Sequence, residues 1–169
     1  MIRATVHFET KNTAVMDRLL KELPKLKRAY ITVGIHSDAG KYDDDTEIVD
    51  VAIWQEFGTS TVPQRSFIRS ALNENTDKIN QWREEALVEI VEKGLTTRQA
   101  LEKLGTKIKI LIQNKIKSNI PPEYGTGRKP NDSGTIQQLQ EQKRRHGFPV
   151  RTLIATGAML DSVDFKVYE

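Results

Sequence analysis

Hydrophobic positions along this chain recur with two periods, and the switches between them lay out the elements. Ile2, Ala4, Val6 and Phe8 alternate with Arg3, Thr5, His7 and Glu9, the period of a strand that turns one face to a core. Asn12 or Thr13 then caps a helix carrying Val15, Met16, Leu19, Leu20 and Leu23 on one stripe. Pro24 falls inside that stripe, so the helix either kinks there or ends just before it. Tyr30 to His36 predicts a second strand, and Ser37 to Thr46 an acidic, turn-rich loop without core residues. From Glu47 the period is helical again, with Ile48, Val51, Ala52 and Gln55 on one face. Gly58 is placed to stop that helix in a left-handed conformation.

After a turn or extended link from Thr59 to Ser66, which contains Pro63, three more helical stretches follow. Phe67, Ile68, Ala71 and Leu72 open the first, and Asn73 to Thr76 interrupts it. Ile79, Trp82, Ala86, Leu87, Ile90 and Val91 form the stripe of the second, up to Gly94. Thr96 or Thr97 caps the third, which faces inward through Ala100, Leu101, Leu104, Ile108, Leu111, Ile112 and Ile116. Gly105 costs that helix about 1 kcal/mol relative to alanine, which marks it as a place of close packing. Pro121 and Pro122 end it. Residues 120–134 have no apolar pattern and read as a flexible loop, Thr135 to Arg145 as a short helix, and Ser162 to Tyr168 as a third strand able to pair with the N-terminal one. The expected fold is a single α+β domain over residues 1–169. A small, mainly antiparallel sheet packs against two or three long helices, with extended loops.

Composition narrows what this fold can do. There is no cysteine, so disulfides and thiolate metal sites are excluded. No apolar run approaches the roughly 18 residues needed to span a bilayer, and Met1 to Thr10 alternates where a signal peptide would be continuously apolar, so no membrane partner is expected. The net charge of +3 hides a split. Residues 1–94 hold 13 cations against 16 carboxylates, and residues 95–169 hold 13 against 7. Such a split suits DNA, an acidic partner, or neighbouring copies attracting each other head to tail.

Candidate chemistry is sparse. His7, His36 and His146 have no metal-ligand spacing, and Asp43 to Asp45 lacks both the alternation and the closing Glu of a calcium loop. Gly125, Gly127, Arg128 and Lys129 follow a helix and precede a proline, the wrong setting for a phosphate loop. No paired nucleophile and base is present, so neither catalysis nor a cofactor is expected. Lys143, Arg144 and Arg145 form a basic cluster that would suit DNA or partner contact, although no aromatic residue is interleaved with them.

Two stretches carry more information. Val51 to Arg69 (VAIWQEFGTSTVPQRSFIR) is a short helix, a glycine stop, a proline turn and a second helical start, with Trp54 and Phe57 on one flank and Arg65 and Arg69 on another. On spacing alone it is a helix–turn–helix core corner, which places Phe57 among the buried residues. Leu153 to Val163 (LIATGAMLDSV) sets Thr156 before Gly157 as the cap of one helical turn that leads into the last strand. Together, and in this order, the two resemble the signatures of phage virion-morphogenesis proteins, the tail-completion or neck proteins of the head–tail junction. The matching residues are Ala52, Gln55, Glu56, Phe57, Gly58, Pro63, Arg65, Phe67 and Arg69 in the first stretch. In the second they are Leu153, Ile154, Thr156, Gly157, Leu160, Ser162 and Val163. The resemblance implies a non-enzymatic structural protein of the virion neck or tail, made in the host cytoplasm. It would assemble as a ring, often six-fold, and join the tail to the connector. Its partners would be copies of itself, a tail terminator and a head-completion connector. A tail-terminator or minor tail protein capping the tube is the alternative, and a DNA-binding module is a third reading.

Overall fold

The computed structural model describes residues 13–59, 64–118 and 157–169. In chain order these form α1 (Thr13–Leu26), β1 (Tyr30–Ile35), α2 (Ile48–Phe57), α3 (Ile68–Asn73), α4 (Thr76–Glu92), α5 (Thr97–Ser118), α6 (Ala158–Asp161) and β2 (Val163–Tyr168). The fold is α+β, as the alternation of periods implies. Expectations for Met1 to Thr10, Pro63, the 120–134 loop, the Thr135 to Arg145 helix and Lys143 to Arg145 lie outside the described residues, as do those for Leu153, Ile154 and Thr156.

The 22-residue helix α5 is the axis on which the rest is mounted. Ala100, Leu104, Ile108, Ile112 and Ile116 are all buried along its inner face, the i, i+4 spacing that the sequence stripe predicts. The hairpin-like sheet lies across this helix. β1 and β2 are antiparallel, in register from Tyr30 opposite Tyr168 to Ile35 opposite Val163, so β1 is the described partner of the last strand. Gly105 explains how closely they meet: a Cβ built there would fall 2.5 Å from Cδ2 of Phe165 on β2. The missing side chain is thus what lets the Phe165 ring seat on the helix, the close packing anticipated from the sequence. At the far end of the sheet the Tyr30 and Tyr168 rings stack with centroids 4.8 Å apart.

The core is completed by Ile48 and Ala52 of α2, Phe67 and Ala71 around α3, and Met159 and Val163 at the α6–β2 junction. Its polar fastenings are unusual in being carboxylates that reach forward to later helices. Glu22 on α1 is buried, and its Oε2 accepts hydrogen bonds from the backbone N–H of Thr97 at 2.9 Å and from Thr97 Oγ1 at 2.8 Å. Lys25 Nζ donates to the other oxygen at 2.8 Å. These contacts hold the Glu22 pKa down to about 2, with the Lys25 bond the largest cause and the Thr97 backbone bond next. A carboxylate at the first turn of α5 also complements the positive end of the helix dipole. Thr96 adds a reciprocal cap: its Oγ1 accepts from Gln99 N–H, and its own N–H donates to Gln99 Oε1.

Several sequence expectations are settled or corrected here. Helix α1 runs through Pro24 to Leu26, so of the two alternatives it does not end before the proline. Having no N–H, Pro24 forgoes the i→i−4 bond to the Leu20 carbonyl, and the helix ends two residues later. The inner stripe of α1 is Val15, Leu19, Glu22 and Leu26, whereas Met16, Leu20 and Leu23, one residue out of phase, are exposed. Leu87 was placed on the core stripe of α4 but is half exposed, because α4 meets α5 through the Ile79, Trp82, Ala86 and Ile90 side.

Candidate functional site

Helix α2 begins without a side-chain cap at Glu47 and stops at Gly58, whose N–H donates to the Trp54 carbonyl at 2.9 Å. The φ of Gly58 is 77°, which explains the glycine, but ψ is 166°, so the residue is extended and not in the αL basin expected of it. The chain returns at Gln64 and enters α3 at Ile68.

What binds the two helices is the side chain of Glu56, which is only 5% exposed. Its Oε1 accepts from Ser66 Oγ at 2.7 Å, Arg69 Nε at 2.9 Å and Arg69 N–H at 3.1 Å. Its Oε2 accepts from the N–H groups of Phe67 at 2.8 Å and Ile68 at 2.9 Å. The first N–H groups of any helix lack intrahelical partners. Here a carboxylate eleven to thirteen residues upstream supplies them, together with a charge of the sign the helix end favours. Burial is the largest single influence on this carboxyl and pushes its pKa up. The hydrogen bonds from Ser66, Arg69 and the Ile68 and Arg69 backbone outweigh it and hold the pKa below the ordinary value.

The neighbouring motif residues extend this clasp. The Gln55 carbonyl accepts from Arg65 N–H at 2.6 Å, and Gln55 Oε1 accepts from Arg65 Nη1 at 3.1 Å. The Glu56 carbonyl accepts from Arg69 Nη2 at 2.8 Å and Gln64 Nε2 at 3.2 Å. Phe67 is fully buried and Ala52 nearly so. Thus Ala52, Gln55, Glu56, Gly58, Arg65, Phe67 and Arg69 are brought together, and their work is structural. Ser66 belongs with them and was not singled out from the sequence. The signal for it was its position, a hydroxyl just before a helical start.

The aromatic flank is where the structure departs from the core-corner reading. Phe57 is 60% exposed, with the Arg69 guanidinium 4.7 Å above its ring. Trp54 and Ile53 are 42% and 48% exposed. Helix α2 buries its Ile48, Ala52, Glu56 side and must turn Ile53, Trp54 and Phe57 outward, because the clasp fixes its rotation about its own axis.

The second signature is a junction between the sheet and α5. Gly157 is buried in the left-handed region at φ 88°, at the head of α6. Leu160 is half-buried, and its carbonyl accepts from Gln113 Nε2 of α5 at 3.2 Å. The Ser162 N–H closes the turn on the Ala158 carbonyl at 2.9 Å. Elsewhere His36 contacts Thr32 Oγ1 through Nε2 at 2.8 Å, and Asp43, Asp44 and Asp45 form an exposed tip. Among the described residues no three His, Asp or Glu side chains are grouped to hold a metal ion, and no helix is long and apolar enough to cross a membrane.

No family model, curated protein or solved structure matches the chain.

Proposed function

We propose that the chain is a structural subunit of a phage head–tail junction, a tail-completion or neck protein that assembles as a ring and joins the tail to the connector by protein–protein contact. The observation that carries the reading is the outward face of α2. Three large apolar side chains are exposed on a helix that the buried Glu56 carboxylate holds in place. Exposed apolar clusters on a rigid element are characteristic of docking surfaces. The order of the two signatures along the chain supports the junction as the setting.

Deleting the gene and imaging the lysate tests this. The expected products are separate DNA-filled heads and finished tails, restored to joined particles when the intact chain is added back. Normal joined particles from the deletion would overturn the proposal, and co-purification with headless tails would move the protein to the terminator position.

A further inference from the structure

We infer that the outward face of α2 docks onto the outward face of α1 of a second copy of this chain, head to tail, with an α2 aromatic ring entering a hollow on α1. The inference rests on the reading of α2 as a binding face and names what covers it.

Helix α1 carries a second apolar stripe beside the one it buries. Met16, Leu20 and Leu23 are exposed at i, i+4 and i+7, and Lys27 continues the line. Leu20, Leu23, Pro24, Lys27 and Arg28 together line a hollow of about 290 Å³, room enough for an aromatic ring between an apolar floor and a cationic rim. A ring seated there would meet Lys27 and Arg28 as cation–π partners. On α2 the corresponding projection is Trp54 with Phe57 and Ile53, preceded by the exposed Asp50 on the Trp54–Phe57 line.

Charge makes the two faces unlike. Residues 13–28 contain five cations and two carboxylates, a net +3, whereas residues 38–57 contain one cation and seven carboxylates, a net −6. Several of these charges are matched internally: Lys25 with Glu22, Asp38 with Lys166, Lys41 with Glu47 and Arg69 with Glu56. Lys21, Lys27 and Arg28 on the α1 side and Asp43, Asp44 and Asp50 on the α2 side form no ion pair among the described residues. The cationic end of α1 is its C-terminus and the acidic end of α2 its N-terminus, so matching them sets the two helices antiparallel.

One chain cannot close this contact on itself. Glu22 fastens α1 to Thr97, the first residue of α5, while α6, which packs beside α2, is fastened to Gln113. Those anchor points lie sixteen residues apart on one helix, a rise of about 24 Å. A knob and a hole at two ends of the same molecule give a heterologous contact that repeats from copy to copy. The complementary surfaces therefore both lie in the first 58 residues, not in the acidic and basic halves of the chain.

The test uses Leu20→Glu, which spoils the hollow, and Trp54→Ala, which removes the knob. Each is checked for native circular dichroism and then followed by sedimentation over a concentration series. The wild-type chain should gain mass with concentration, and each variant should associate at least ~10-fold more weakly, about 1.4 kcal/mol. A mixture of the two should form a one-to-one dimer and nothing larger, because each variant keeps the one face the other lacks. A wild-type chain that stays monomeric overturns the inference and leaves residues 1–12 of the same chain, or a different protein, as the occupant. So do variants that assemble normally, or a mixture that stays monomeric. A chain that is monomeric in solution, yet found in virions as a ring and needed for joining, would remove this interface and leave the proposed function standing.

Discussion

Replacing Glu56 should be among the most damaging single changes in the molecule, and its cost can be worked from the clasp. Five donors converge on one carboxylate. In Glu56→Ala, Ser66 Oγ and the Arg69 guanidinium can turn elsewhere, since Arg69 is partly open to solvent. The N–H groups of Phe67, Ile68 and Arg69 cannot turn, because the helix fixes them, and Phe67 is fully buried. A buried donor left without a partner costs about 1–3 kcal/mol, and a hydrogen bond to a charged group is worth about 1.5–3 kcal/mol. Non-additivity and partial hydration of the first turn bring the sum to roughly 3–5 kcal/mol, the range for breaking a buried charged network. For a chain of this size that lowers Tm by roughly 6–20 °C. Glu56→Gln should cost nearly as much, because its amide NH2 would meet either Arg69 N–H and Arg69 Nε–H or, flipped, Phe67 and Ile68 N–H, donors that it cannot accept from. Urea titrations of wild type, Glu56→Ala and Glu56→Gln measure this directly. A loss below about 1 kcal/mol in Glu56→Ala would refute the claim that this carboxylate holds α2 to α3.

Three further outcomes are expected. Phe57→Ala should cost less than about 1 kcal/mol, the worth of an exposed cation–π contact, when measured by urea titration; a loss near 4 kcal/mol would put the ring in the core after all. Gly105→Ala should cost roughly 1–3 kcal/mol by overpacking against Phe165, and Phe165→Leu in the same chain should recover part of it; a neutral Gly105→Ala would mean the sheet can lift off α5 freely. The third concerns acid. Because the folded-state pKa of Glu22 lies near 2, below its ordinary 4.5, its contribution is complete above about pH 4.5 and drains away as pH falls toward 2. The stability gap between wild type and Glu22→Gln should therefore shrink across that window, and a gap independent of pH would remove Glu22 from the acid response.

Periodicity made the long elements legible and left their orientation open. The α5 stripe and the Gly105 contact follow from spacing, because a helix buried along most of its length advertises its face in every turn. Helix α1 carries two apolar stripes one residue apart, and nothing in the pattern tells which is covered. Glu22 decides it by reaching for Thr97, 75 residues away in sequence. The same holds for Trp54 and Phe57. Aromatic residues at helical spacing look like core, yet the Glu56 carboxylate turns them out by fixing what must face in. Buried carboxylates that cap later helices leave no periodic trace, which is why the sequence pattern included Glu56 in a motif without showing its role and passed over Ser66.

Helix α5 acts as a spacer with a fixed phase. Adding one residue between Thr97 and Gln113 would move the two outer faces apart by only about 1.5 Å but swing one against the other by about 100°. In an assembly built by repeating one unlike contact, that swing decides whether the series closes on itself or winds into an open coil. If the chain assembles as proposed, the length of a single helix would set how many copies complete a circuit.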